Sequence, residues 1–374
     1  MAAAAFLHRA GFPVTVYEQA RKLTEVGAGI VVAPNAARLL RRLGVLDGFR
    51  REAVALEWGW EFRRWQDGTV LSREKLTDVC EQLYGEPTYV AHRAALLAAI
   101  RTTVPERAIR LGARCTAVEE DDDEVRLRFA DGSSAVADLV VGADGVHSVV
   151  RGAVTEPSSP EDFGCCAYRS IVPAERAPAF GLRRAHSIWL GPDHHLVHYP
   201  INAGRSVNLV AVAPTTPAVE ESWSATATVG EFLAEFEGWD PRVTELIRAG
   251  GDPGRWALFD RAPLRRWCTD RVTLLGDAAH PMLPFFAQGG AQAIEDAAVL
   301  AACLAREPGD PRTALRGYEA ARIPRTTKLQ SASRGRGLIN HLPDGPEQRA
   351  RDEALAAADP LTGNGWIYGY DPAV

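Results

Sequence analysis

A chain of 374 residues can bury a large core, and suggests either two domains or one large interleaved domain. Its net charge of −6 gives no reason to expect nucleic-acid binding or adhesion to an acidic membrane, which leaves small-molecule chemistry as the expectation. The six cysteines include no C-x-x-C pair and no zinc-like spacing, and no apolar run approaches membrane-spanning length. The thiols therefore read as reduced cytoplasmic ones, and the short start MAAAAFL, lacking a basic leader, does not read as a signal peptide.

From the start, Ala2 to Ala10 reads as a helix closed by Gly11, and Val14 to Tyr17 as a strand ending at Glu18. This order resembles the back half of a dinucleotide-binding βαβ unit, where an acidic residue meets a ribose roughly 20 positions after a glycine turn. Counting back from Glu18 puts that turn before Met1, so the first strand and the G-x-G-x-x-G are expected to be absent here. The bland alternative is an amphipathic helix and strand with a chance surface glutamate. Gly27-Ala-Gly-Ile30 follows the acidic strand and cannot replace the turn; its expected use is to let the loop before Pro34 pass close to a bound ring. Further on, Ala137 to Val141 reads as a strand running into Gly142-Ala-Asp-Gly145, with Arg151 beyond as a fixed positive charge near phosphates. Asp144 can orient backbone amides or a ribose there, although an Asp-Gly turn alone is more often only a turn.

Residues 165 to 212 alternate strands and turns in an antiparallel meander, clearest at His186 to Leu190, His194 to Pro200 and Ser206 to Val212. Glu231 to Arg248 looks helical with a break at Trp239-Asp-Pro241. Val272 to Leu275 is a buried-strand pattern ending at Gly276 and Asp277. Gly289 and Gly290 then open a helix from Ala291 to Leu300, whose free N–H groups face the same crevice. A carboxylate at a strand's carboxyl end and a helix N-terminus beside it suit the ribityl hydroxyls and ring of a flavin. Arg312 to Ile339 continues helical, with Pro324 expected to start a new turn or kink it, and the ending after Pro343 reads as loop pinned back by Trp366, Tyr368 and Tyr370.

Taken together, VTVYEQA, GAGIVVAPNA, AHRAALLAAI, GADGVHSVVR, LLGDAAHPMLPFFAQGGAQAIEDA and WIYGYD resemble the single-component FAD-dependent aromatic hydroxylases, such as salicylate, 3-hydroxybenzoate and 4-hydroxybenzoate hydroxylases. The resemblance implies an α/β fold: a Rossmann-like FAD-binding domain of glutathione-reductase type (1–164 and 261–340), an inserted antiparallel-sheet substrate domain (165–260) and a C-terminal tail (341–374). It implies FAD as cofactor, NADH or NADPH as co-substrate, O2, and hydroxylation of a small aromatic acid or phenol through a flavin C4a-hydroperoxide, in a monomer or homodimer. By the same resemblance Glu18 contacts the adenosine ribose and Arg93 the phosphate or ribityl part. Asp144 supports the pyrophosphate and the pyridine nucleotide, Asp277, after Gly276, the ribityl chain, and Gly289 and Gly290 lie beside the ring. Alternatives are a flavin epoxidase or tailoring oxygenase with a larger substrate, and a truncated, non-catalytic flavin-fold protein. The missing glycine loop predicts weak FAD retention.

Deprotonating a phenol pushes electron density to its ortho and para carbons, and a base near neutrality suits that task, which points to histidine. His147 and His280 belong to the glycine motifs and read as structural. His194, His195 and His198 share one strand, whose alternation sets His195, Val197 and Tyr199 on one face and His194, Leu196 and His198 on the other. Only one set can face the flavin, and His195 matches a substrate-side histidine of the resembling hydroxylases. A satisfied strand histidine is the equal alternative, and no carboxylate or cysteine spacing supports a metal. Val31 stands where some hydroxynicotinate hydroxylases carry histidine. Arg169 either pairs with a substrate carboxylate or braces the domain junction.

Overall fold

The computed structural model describes every residue except 24–27, 157, 182, 216–225 and 373–374, so Gly27 of the GAGI segment lies outside the described residues. Two short parallel pairs form here, the second of which runs into the motifs at Gly142 and Gly276. Val16–Glu18 pairs with Ile109–Leu111, and Val140–Gly142 pairs with Val272–Leu274. Helix Ala2–Arg9 packs on helix Gly289–Arg306, and both share one apolar core with these strands. Small side chains make that approach possible: Ala4, Ala5, Ala297, Ala298 and Ala301 are all buried in the shared core.

The second layer is a seven-stranded sheet in the order Gly254–Asp260, Glu161–Pro173, Ser206–Pro214, His194–Ile201, Ala185–Gly191, Trp58–Arg64 and Val70–Lys75. Its pairs are antiparallel except Ala185–Gly191 against Trp58–Arg64. The expected meander forms its middle. Two further strands come from residues 58–75, outside the 165–260 segment expected to hold the sheet, and the first meander strand starts at Glu161 rather than residue 165.

Helices Val229–Glu235 and Pro241–Gly250 cover one face of this sheet. The break between them falls where Asp240 caps the second helix and Pro241 occupies its first turn, a position that tolerates a missing N–H. On that face Tyr168, Trp189, Leu196, Leu209 and Ala211 pack against Phe232, Phe236, Trp239 and Leu246. Each such side chain contributes roughly 1.5–3 kcal/mol by leaving water.

Three local expectations need correction. Ala137 to Val141 is not one strand: Ser134–Ala137 pairs in a hairpin sheet and Val140–Gly142 in a parallel pair, because the chain changes partner between them. Pro324 does not restart its helix, which runs unbroken over Pro311–Asn340. The ending is helical rather than loop-rich, over Pro346–Ala357, Pro360–Gly363 and Gly365–Tyr368. Prolines 346 and 360 sit in first turns and start those helices instead of breaking them. The aromatic pins are in place, with Tyr368 buried, Tyr370 under Arg325 at 3.8 Å and Trp366 under Lys328 at 4.1 Å.

Candidate active site

At the carboxyl end of strand Val272–Leu274 the chain turns through Gly276, whose φ of +57° favours glycine. The Gly276 N–H donates to Asp296 Oδ2 at 2.9 Å, and His280 Nε2 lies 2.6 Å from the same oxygen. Asp296 Oδ1 accepts from Arg322 Nε at 2.7 Å, while Glu295 accepts from Arg322, Arg325, Gln292 and Asn35. Arg322, Glu295 and Asp296 are fully buried. Although burial opposes ionisation, His280, Arg322 and the Gly276 amide hold the Asp296 carboxyl down at about 2. This network fixes the strand end to two helices, a role for Glu295 and Asp296 that their place in a helix pattern did not reveal.

Asp277 is open to solvent yet ringed by protein. Desolvation raises its carboxyl above the ordinary range, against the pull of His280, Arg93 and Arg151. Its Oδ1 lies 4.0 Å from where a Cβ on Gly289 would stand. Helix Gly289–Arg306 begins there with no side-chain cap, which leaves its first N–H groups for another partner. At Gly289 a Cβ would meet nothing nearer than 3.9 Å, leaving room for a ligand's close approach. At Gly290 it would stand 2.9 Å from Ile30 Cδ1, which gives that glycine a packing reason.

The other expected cofactor residues divide. Arg93 opens helix Arg93–Arg101 on the cleft side, within electrostatic reach of Asp277 and Arg169. Arg151 donates to the carbonyls of Ala278 (2.8 Å), Val146 (2.9 Å) and Asp277 (3.0 Å), so it clamps one glycine motif to the other. Asp144 accepts from the amides of Val149 and Val150 and from the Ser148 hydroxyl, so its carboxylate orients its own loop. Glu18 stands half-buried at the end of its strand and accepts from the Ala20 amide at 2.8 Å.

The sheet's second face looks at the glycine motifs. Register aligns Ala167, Val212, His195 and Leu190 across one row, and Arg169, Val210, Val197 and Ile188 across the next. A third row carries Ile171, Asn208 and Tyr199. Alternation therefore puts His195 on this face, where its ring meets Phe285 edge-on at 5.4 Å, and its Nδ1 lies 2.6 Å from His341 Nε2. His194 and His198 point the other way: His194 binds Glu235 at 3.2 Å and His198 packs edge-on against Phe180 at 4.6 Å. Gly29 closes the row, donating to Asn208 Oδ1 at 2.8 Å, and a Cβ there would collide with Tyr199.

Beside these residues lies a small cavity bounded by Trp60, Thr88, His186, Phe286, Gln288 and Tyr368, with Val31 at its edge. His186 stacks on Tyr199 at 5.3 Å, and burial pushes its imidazole down to about 4. Two wall residues carry positive φ, Trp60 at +46° and Ala287 at +52°, conformations that cost of order 1–3 kcal/mol each. Tyr368 Oη accepts from Trp60 Nε1 at 2.6 Å and holds that strained residue in place. Sequence reading missed His186, His341 and Trp60. Strand alternation from Tyr199 could have found His186; nothing local marks His341.

Arg169 shares this face and has no carboxylate partner among the described residues; its guanidinium lies 5.0 Å over Trp256, and its Nε is buried without a hydrogen bond. Among the described residues no cluster of three His, Cys, Asp or Glu side chains is arranged to hold a metal, and no helix is long and apolar enough to cross a membrane.

Comparison with known proteins follows the same lines. The family described as FAD binding domain matches residues 1–333. The chain is 45% identical over 370 residues to the 3-amino-4-hydroxybenzoate 2-monooxygenase PtmB3 of Streptomyces platensis, covering 99% of this chain and 93% of that one. It is 36% identical over 380 residues to 3-hydroxybenzoate 6-hydroxylase 1 of Aquipseudomonas alcaligenes, covering 99% and 94%. Among solved structures, Klebsiella pneumoniae HpxO complexed with FAD and uric acid superposes with a TM-score of 0.90 at 28% identity, covering 100% of this chain and 95% of that one. A salicylate hydroxylase substrate complex does so at 0.81 and 26%, covering 99% and 92%. The chain belongs to the FAD binding domain family, among its flavoprotein aromatic monooxygenases.

Proposed function

We propose that this protein hydroxylates a single-ring aromatic acid of the aminohydroxybenzoate type, with NADH or NADPH as electron donor and O2 as oxygen source. The observation that carries the reading is His195, a buried imidazole on the sheet face turned towards the glycine motifs. The similarity to 3-amino-4-hydroxybenzoate 2-monooxygenases supports the substrate class. The family relationship does not favour a non-catalytic reading.

The residues present fit FAD. Asp277 offers a carboxyl to ribityl hydroxyls, Gly289 leaves space at an uncapped helix N-terminus for the ring, and Arg93 supplies positive charge beside them. When bound, FAD supplies the redox chemistry and activates dioxygen.

The chain's own part is to bind, orient and move a proton. Burial, and then His341, hold the His195 imidazole well below the ordinary histidine range rather than at the near-neutral value expected of a phenol's base, so it is unprotonated at pH 7 and takes a proton at one nitrogen only as it gives one up at the other. Taking the hydroxyl proton at Nε2 makes the ring electron-rich ortho and para to its oxygen. Tyr199, whose phenol burial pushes upward, stays protonated and donates a hydrogen bond. Arg169 pairs with the carboxylate, which gives the guanidinium lying over Trp256 an anionic partner. The test is substrate-dependent NAD(P)H oxidation with 3-amino-4-hydroxybenzoate, with the product analysed by mass. Gain of one oxygen atom supports the proposal; oxidation without an oxygenated product, across hydroxybenzoates as well, overturns it.

A further inference from the structure

We infer that His341 carries the proton from His195 out of the site, so that the two imidazoles form a relay from the cleft to the protein surface. The inference rests on the hydroxylase reading above and adds a positioning residue to it.

The geometry is that of a donor and an acceptor. His195 Nδ1 and His341 Nε2 are 2.6 Å apart, with ring centroids at 4.9 Å and planes tilted by 32°. At that distance one nitrogen carries the hydrogen and the other accepts it. Phe285 meets both rings edge-on, at 5.4 and 5.9 Å, and shields the contact from water. His195 is only 3% exposed, whereas His341 is partly exposed, so a path to solvent runs through the second ring.

His341 is also held in register. It follows Asn340, the last residue of the thirty-residue helix, and its carbonyl accepts from the Asp193 amide at 3.1 Å. Both strand and helix therefore fix the pair. The carbonyl end of a helix favours a transient imidazolium there. Arg351, donating to the carbonyls of Ile339 and Asn340, opposes it. His194, on the opposite face of the same strand, acts on both rings only electrostatically and is itself tied to Glu235 and to the Pro192 carbonyl, so it does not compete for His341. Burial keeps the His341 imidazole down at about 4, so it waits in its base form.

The step balances. The substrate O–H breaks as a bond forms from its hydrogen to His195 Nε2. The His195 Nδ1–H breaks as its hydrogen bonds to His341 Nε2. His341 then releases its Nδ1 proton to water, leaving a phenolate in the cleft and both rings neutral.

The test uses the FAD-loaded enzyme with 3-amino-4-hydroxybenzoate, in His341→Gln and His341→Ala. FAD affinity and the rate of flavin reduction should stay within a few-fold, while single-turnover hydroxylation falls by about 10², the low end for a lost acid–base group. Free imidazole should restore His341→Ala, with recovery tracking the fraction of unprotonated imidazole as pH is varied. In the cofactor-free protein, nitrogen-15 NMR should show His195 as the Nδ1–H tautomer, and that bias should vanish in His341→Ala. Hydroxylation unchanged in both His341 variants but slowed in His195→Asn overturns the relay and leaves the hydroxylase reading standing. Loss without imidazole rescue and without a tautomer change also overturns it. Hydroxylation unaffected even in His195→Asn overturns the relay at its first ring, whereas no oxygenated product from the unaltered enzyme overturns the hydroxylase reading beneath it.

Discussion

The two faces of the seven-stranded sheet are built from the same strands and do opposite work. Towards helices Val229–Glu235 and Pro241–Gly250 the strands present Tyr168, Trp189, Leu196 and Leu209, an apolar seam closed by aromatic side chains. Towards the glycine motifs they present Arg169, His195, Tyr199 and Asn208, with a hydrogen bond to Gly29 and an imidazole pair. Neighbouring histidines on one strand thus have unlike surroundings. His198 is wedged among Phe180 and Trp189 with Nε2 unpaired, and His195 reaches His341. The lesson is that a strand assigns chemistry by parity, and a one-residue slip would exchange packing and site.

The sharpest way to break this contrast is to change each histidine in turn. His195→Asn should slow single-turnover hydroxylation by roughly 10²–10⁴ and raise hydrogen peroxide release. His198→Asn should leave both within a few-fold. A loss confined to the His198 variant would mean the working face has been misassigned.

Beneath the cofactor-facing side, the Arg322 network should be the larger structural investment. Arg322→Leu removes the cation shared by the buried Glu295 and Asp296, leaving the first to Arg325 and the second to His280, and unfolding in urea should show a loss of about 3–5 kcal/mol. Removing the exposed Arg334 contact to Glu161 is worth about 0–1 kcal/mol by comparison. Equal effects would show that the buried network is dispensable.

Asp277→Ala tests the cleft itself. Losing a hydrogen bond to a charged carboxylate costs on the order of 1.5–3 kcal/mol, so FAD affinity should drop about tenfold to a hundredfold in a fluorescence titration. The far-ultraviolet circular dichroism should not change. An unaltered affinity would remove Asp277 from the site.

The smallest effect belongs to the packed face. His198→Phe removes an unpaired buried nitrogen and should stabilise the fold by about 1 kcal/mol at neutral pH. Its pH signature has a definite sign. Burial holds folded His198 down at about 3, whereas an unfolded histidine titrates near 6.5, so the unfolded chain binds the proton first as pH falls. Stability attributable to His198 therefore declines from about pH 6.5 towards pH 3, and the phenylalanine variant should show a shallower decline in melting temperature over that window.

Much of this was legible because local physics was decisive. The meander followed from alternation and turn residues, and Gly276-Asp277 with Gly289-Gly290 followed from strand-end and helix-start chemistry. The strand parity that separates His195 from His198 needed only a count of two. What escaped depends on distance in sequence. Strands Trp58–Arg64 and Val70–Lys75 join a sheet more than 100 residues away, and a strand pattern does not name its partner. His341 meets His195 across 146 positions, and the Trp60–Tyr368 bond spans 308. Asp144 accepts from amides of its own loop, one of the two uses that the sequence leaves open for it, and which amides those are depends on the turn geometry. The tail was misjudged because proline marks helix starts as well as breaks.

The most direct measurement is a crystal structure of the protein with FAD and 3-amino-4-hydroxybenzoate bound. The account predicts the aromatic ring between the cofactor and the sheet face carrying Tyr199, with its hydroxyl at hydrogen-bonding distance, roughly 2.6–3.2 Å, from His195 Nε2. A ring bound with its hydroxyl away from His195, or with His195 sealed behind Phe285, would contradict it.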